Sequence, residues 1–212
     1  MNLIQIQIAL FFLQDYKNNY ESFSLFLKNQ FGESLQTLQL PISDQEPSEI
    51  PRLTLTYSNF NINVAKNRLD IFININPTTD TIGITNTIFS IDYNSLGIEF
   101  KRLGVISTFF EEGNSSEIKN LLNPIFHSKN LSEINIRVNE KTTIRNLLCN
   151  NIEQIGLGNA QKNNGTTQQE IVGLVVQRDI NSPIERINKI EQQELKSLFE
   201  EFFVLSKNRI LV

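Results

Sequence analysis

Residues 52–77, RLTLTYSNFNINVAKNRLDIFININP, decide the fold class. Apolar and polar side chains alternate along most of this stretch, the period of strands with one buried face. Two breaks interrupt the alternation, Ser58-Asn59 and Lys66-Asn67, and residues of these types tolerate turn geometry. The pattern predicts three antiparallel strands over 52–57, 60–65 and 68–76. After Pro77, Thr79 or Asp80 is placed to cap a helix reaching about Tyr93, with Ile84, Ile88 and Ile91 on one side.

The flanking chain reads in the same terms. Residues 3–13 predict a strand with Ile4, Ile6, Ile8, Leu10 and Phe12 on one face and Gln5 and Gln7 on the other. Asp15 opens an expected helix to Phe31, striped by Tyr16, Tyr20, Phe23, Leu27 and Phe31 and stopped at Gly32. Residues 34–41 form a further short strand. Beyond Gly97, a long strand over 98–111 ends in Phe109-Phe110, and a helix is expected over 115–126. Strands then follow at 131–138 and from Thr142, with turns at 139–141 and at Asn150-Asn151. The polar run 158–168 reads as the least ordered part of the chain. A strand over 169–180 and a helix from about 184 to 208 complete it.

The two halves share an element order. Each opens with an apolar strand ending in Phe-Phe, at Phe11-Phe12 and Phe109-Phe110, an offset of 98. Each continues through a helix and about four strands, and each closes with a strand that runs Arg, Asp, Asn, Pro into a last helix. Those residues are Arg68, Asp70, Asn76 and Pro77 in the first half, and Arg178, Asp179, Asn181 and Pro183 in the second. The expectation is an α+β fold: an antiparallel sheet with helices on one face, in one domain of residues 1–212 built from two pseudo-repeats, 1–97 and 98–212. The β-α-β4-α order resembles the TATA-box-binding-protein fold, which implies a saddle-shaped continuous sheet. The resemblance lies in element order alone, so no functional residue is carried over. The alternative is an α+β arrangement with two sheets or a partly closed barrel around the last helix.

Composition bounds the function. The chain has 212 residues, 40% of them hydrophobic and 15 of them Phe, ample for a packed core. Its net charge of −4 lies in the first half: residues 1–97 hold 5 Lys and Arg against 9 Asp and Glu, and residues 98–212 hold 14 against 14. That balance disfavours a grip on nucleic-acid phosphates. One Cys, Cys149, excludes an internal disulfide framework and suits a reducing cytoplasm. The N-terminal apolar run is too short and too interrupted for a membrane span or a signal peptide, so no membrane association is expected. With one His, His127, and one Cys, the usual zinc ligand sets are missing. No Gly-rich phosphate loop or compact carboxylate array marks another cofactor, and none is expected.

Three groups of side chains are candidates for binding. Arg68, Asp70, Arg178 and Asp179 would form a symmetric polar site if the halves correspond, or else surface or structural salt bridges that pin strand ends, worth ~0–1 kcal/mol if exposed. Asn61, Asn63, Asn67 and Asn74 could line one sheet face and read a polar ligand, with Asn61 and Asn63, two apart, sharing that face, or they line the solvent side of an edge hairpin. Lys101 and Arg102, with Arg137 and Arg145, could form a basic patch beside Tyr57, Phe60, Phe109 and Phe110, or those aromatics belong to the core. The expected function is a non-catalytic cytoplasmic binding protein. It would use an apolar sheet face or a strand edge to hold a protein partner or a second copy of itself as a homodimer. The alternatives are nucleic-acid binding through the second half, or a hydrolase or nuclease with a carboxylate-held metal.

Overall fold

The computed structural model describes residues 1–41, 43, 45–113, 135–164, 167–183 and 188–208. Its strands are β1 (Asn2–Phe12), β2 (Gln36–Gln39), β3 (Leu53–Thr56), β4 (Phe60–Val64), β5 (Arg68–Asn74), β6 (Phe100–Glu112), β7 (Asn135–Ile144), β8 (Leu147–Asn164) and β9 (Thr167–Asn181). The helices are α1 (Tyr20–Phe31), α2 (Thr81–Ser90) and α3 (Gln192–Ser206), with a 3-10 turn at Tyr93–Leu96. All nine strands join one antiparallel sheet in the order β2-β3-β4-β5-β1-β6-β9-β8-β7. Among the described residues, the strands therefore form neither two sheets nor a closed barrel.

The central pair is β1 with β6. Outward from it run β5, β4, β3 and β2 on one side and β9, β8 and β7 on the other. Alternation along β1 divides the sheet into two faces. Ile6, Ile8 and Leu10 are fully buried and pack with Leu103 and Val105 of β6 and Leu69, Ile71 and Ile73 of β5. Phe23 and Leu27 of α1, Ile88 of α2, and Leu198 and Phe202 of α3 join the same core, each 0% exposed. All three described helices thus cover one face. Each such side chain taken out of water contributes about 1.5–3 kcal/mol. The alternate residues of β1, among them Gln5, Gln7, Ala9 and Phe11, lie on the other face, called open below.

Tertiary hydrogen bonds shift two helix starts from their sequence signals. Asp15 does not open α1, because the N–H of Tyr16 donates to the Lys66 carbonyl at 2.6 Å and holds the chain extended. Asn19 is the cap, its side chain accepting from Glu21 N–H at 2.8 Å, and Tyr16 packs into the core ahead of the helix. Gly32 ends α1 with φ +83°, as expected of glycine, though its ψ is extended rather than left-handed helical. Similarly α3 begins at Gln192, after the non-helical residues 188–191, because Ile190 N–H donates to Phe100 O at 2.6 Å in an isolated bridge; residues 184–187 of the expected helix lie outside the described residues. Gln192 then donates to the carbonyl of Ile91 at 2.7 Å, which ties the start of α3 to the end of α2.

The second half corrects the turn assignments. Residues 139–141 and Asn150-Asn151 are not turns: the first three run within β7 and the Asn pair within β8. The hairpin turns at Arg145-Asn146, where both residues take positive φ, 49° and 64°. That geometry is the one two-residue hairpins favour. Of the polar run 158–168, residues 158–164 and 167–168 are paired strand backbone rather than irregular chain, and residues 165–166 lie outside the described residues. The helix expected over 115–126, and His127, lie outside the described residues.

The turn position has a direct consequence for stability. Asn146→Val, a β-branched residue in the left-handed region, should cost about 1–2 kcal/mol in urea unfolding. Asn139→Val, on exposed strand β7, should be neutral or slightly stabilising because Val suits strands. The reverse ranking would place the turn at 139–141 instead.

Candidate functional site

The open face is polar, not the apolar surface expected from the sequence, and the register shows why. Across β4, β5, β1, β6, β9 and β8, the residues Asn63, Asp70, Ala9, Gly104, Asn181 and Asn150 stand opposite one another. The next row on that face is Asn61, Phe72, Gln7, Ile106, Asp179 and Ile152. A third row, Asn74, Gln5, Thr108, Gln177, Gln154 and Arg137, consists wholly of hydrogen-bonding side chains. Residues two apart in each strand share this face, so sequence positions far apart assemble into one surface.

At its centre, Phe11 lies between two guanidinium groups, Arg68 on β5 and Arg102 on β6, its register partners. The Arg102 Cζ is 4.4 Å from the ring centroid and the Arg68 Cζ 5.9 Å, within cation–π range. Arg68 Nε is 2.7 Å from Asp70 Oδ2, and Gln7 Nε2 donates to Asp70 Oδ1 at 3.1 Å. Arg102 donates to the Ser182 carbonyl and to Asn181 Oδ1, both at 3.1 Å. Asn181 in turn donates to Asp179 Oδ1 at 3.0 Å and accepts from Asn150 at 2.9 Å. Further out, Gln5 donates to Asn74 at 3.0 Å and Thr54 to Asn63 at 2.9 Å. Gln154 and Gln177 remain exposed.

Both carboxylates carry a proton more readily than usual. Burial pushes the Asp70 carboxyl above 3.8, outweighing the opposing pull of Arg68 and the Gln7 and Arg68 hydrogen bonds. Burial also raises Asp179, against the Asn181 hydrogen bond and the charges of Arg102 and Arg137. The two are not an acid–base pair. β5 and β9 are separated by β1 and β6, a distance of about 14 Å at ordinary strand spacing. Carboxyl pairs that share one scissile bond, as in glycoside hydrolysis, stand roughly 5–9.5 Å apart. Among the described residues, no three of His, Cys, Asp and Glu come together as metal ligands.

Of the expected site residues, Arg68, Asp70, Arg102, Asp179, Asn61 and Asn63 share the open face. Arg178 does not join them. It follows its neighbour's opposite parity onto the covered face, where it is 2% exposed. There its Nε is 3.3 Å from Glu153 Oε2, and Nη2 donates to Asn151 at 3.3 Å. Arg68 and Asp70 are two apart and share a face; Arg178 and Asp179 are adjacent and cannot. The guanidinium beside Phe11 from the second half is Arg102. Lys101 occupies the extra position where the β1–β6 register jumps from Arg102 to Phe100.

The expected basic patch is dispersed. Arg137 is exposed on the open face, whereas Arg145 sits on the hairpin turn, 2.5 Å from Glu201 of α3. Tyr57 stacks on Phe60 at 4.4 Å against Phe31, and Phe109 packs beside Ile155, Leu174 and Val176. Gln7 and Phe11 are the central residues that motif reading did not single out. Their signal was the alternation of β1, which sets Gln5, Gln7 and Phe11 on one face. Cys149 is fully buried. Comparison with protein-family models, with curated proteins and with solved structures finds no match.

The carboxylate environment is testable by titration. Asp70 should titrate above 3.8 in carboxyl-resolved NMR, and Arg68→Met should move it higher by removing the favourable charge. Because the folded value is raised, its stabilising contribution is complete below the unfolded value and is lost as pH rises through the folded one. A midpoint at or below 3.8 in the native protein would contradict the burial argument.

Proposed function

We propose that this protein is a non-catalytic binding protein, with the open face of the sheet holding an extended segment of a protein partner. The observation that carries this reading is the ordered array of amides around Phe11. Side-chain amides offer both donors and acceptors, the complement of a peptide backbone. Phe11, Phe72, Ile106 and Ile152 interrupt the array with apolar surface that could seat a partner's side chains. Charge favours a polypeptide over nucleic acid: Arg68 is matched by Asp70, and Arg102 faces Asp179 through Asn181. A polyanion would find its attraction largely cancelled at the centre.

A cytoplasmic setting is part of the proposal. It is supported by a single, buried cysteine. Among the described residues, no helix is long and apolar enough to cross a membrane. We also read the two halves as products of duplication. The matching progression of strands outward from the β1–β6 pair supports this.

Selection of displayed unstructured peptides on the full chain provides the test. Enriched peptides should lose about tenfold in affinity to the double variant Gln154→Ala/Gln177→Ala, the combined effect of two hydrogen bonds. Binding should be unchanged by Lys28→Ala on α1. Peptides insensitive to the open-face changes would sink the proposal. Salt-dependent capture of a single-stranded oligonucleotide, with no peptide enriched, would favour the nucleic-acid alternative through Arg102, Arg137 and Lys141.

A further inference from the structure

The two edges of the sheet are built differently. β7 carries Arg137, Glu140 and Lys141 along an exposed edge. Such charges oppose the addition of another strand. β2 carries none: residues 34–41 read SLQTLQLP, and all four residues of β2 are exposed. Three leucines lie along this edge, Leu35 at 76%, Leu38 at 46% and Leu40 at 39% exposure. An uncharged strand edge with exposed leucines is a template for pairing.

We propose that β2 pairs antiparallel with β2 of a second copy of this chain, giving a two-fold dimer with one sheet continuous across both. Hydrogen-bond phase fixes the register. Leu40 N–H donates to Arg52 O at 2.9 Å, and Leu38 and Gln36 follow it at the two-residue repeat opposite Thr54 and Thr56. Their backbone groups point at β3, so those of Thr37 and Gln39 point outward. Pairing Thr37 of one copy with Gln39 of the other satisfies these groups with about four backbone hydrogen bonds. Leu38 then stands directly opposite Leu38 of the second copy, in the closer type of antiparallel pair. Leu40 lies opposite Gln36.

The chain's own β2 is the occupant that fits. A two-fold axis normal to the sheet brings this strand edge against itself antiparallel, which continues the pattern of the sheet. No charge from residues 34–41 meets its like across the axis. The assembly also closes after one step: among the described strands, only β7 is then left at the ends of the joined sheet. The pairing strand has four residues, so the interface is small and the dimer belongs to the weak, reversible class.

Sedimentation of the full chain should show a reversible monomer–dimer equilibrium, with dimer dominant at about 100 µM. Leu38→Lys places two ammonium groups across the axis and should weaken dimerisation on the order of 100-fold. Its circular dichroism should be unchanged, because the side chain is already half exposed. Leu38→Cys should form an intermolecular disulfide with diamide, since closely paired Cα atoms lie within disulfide range. Leu148→Cys, exposed on β8, should not, and buried Cys149 does not compete. A wild-type monomer at 100 µM overturns the proposal. So does a dimer indifferent to Leu38→Lys, or one that fails to cross-link through Leu38→Cys. These outcomes leave the peptide reading of the open face separately testable, because Gln154 and Gln177 lie near the opposite edge.

Discussion

The pairing of β1 with β6 is the constraint on which the rest of this molecule depends. It joins the parts contributed by residues 1–97 and 98–212, and it sets both faces at once. Ile6, Ile8 and Leu10 are held beside Leu103 and Val105, a surface apolar enough to attract three helices. By the same alternation Gln5, Gln7 and Phe11 must face away. A one-residue slip would expose the isoleucines and bury the glutamines. The helices are therefore as much a consequence of this register as the polar face is. Ala9 and Gly104, opposed across the centre, keep the middle of that face low, so that Asp70, Asn181 and the two arginines can gather around it.

Much of the first half was legible in sequence. Strict alternation in residues 53–74, with breaks at Asn59 and Asn67, left little freedom in strand length or turn position. The second half was less legible because its Asn-rich stretches read as turn signals where the chain runs on as strand. Asn139, Asn150 and Asn151 lie in extended chain. The true turn, Arg145-Asn146, contains no glycine to mark it, and only Asn146 is of a type that commonly takes positive φ. Helix starts were displaced where a backbone N–H was already committed elsewhere, at Tyr16 and Ile190. Local propensity holds no record of such bonds.

The candidate site divides along the same line. Residues two apart in one strand were correctly grouped, as with Arg68 and Asp70 or Asn61 and Asn63. Grouping across strands needed a register that no local pattern supplies. It is the register that brings Arg102 to Phe11, and it is parity that sends Arg178 to the covered face although Asp179 stays on the open one. Sequence similarity in the order of Arg and Asp was thus a poor guide to shared surroundings.

The buried Arg178–Glu153 pair shows how the second half differs in physical character. Ser107 and Ser206 meet at 2.6 Å beneath α3, and Arg178 stands opposite Ser107 in the sheet. Where β1 and β5 present paired isoleucines and leucines to the helices, this half places a guanidinium, a carboxylate, an amide and two hydroxyls. Replacing such a pair with apolar residues of similar volume is often neutral or stabilising, whereas removing one partner leaves a buried charge unmatched. The arrangement therefore adds little to stability but strongly penalises displacement. Any shift of α3 against β6 and β9 would separate Ser206 from Ser107 and disturb the polar cluster on which the helix rests. A purely apolar seat would tolerate sliding at small cost; this one fixes the position of the last helix, and through Gln192 the end of α2 with it.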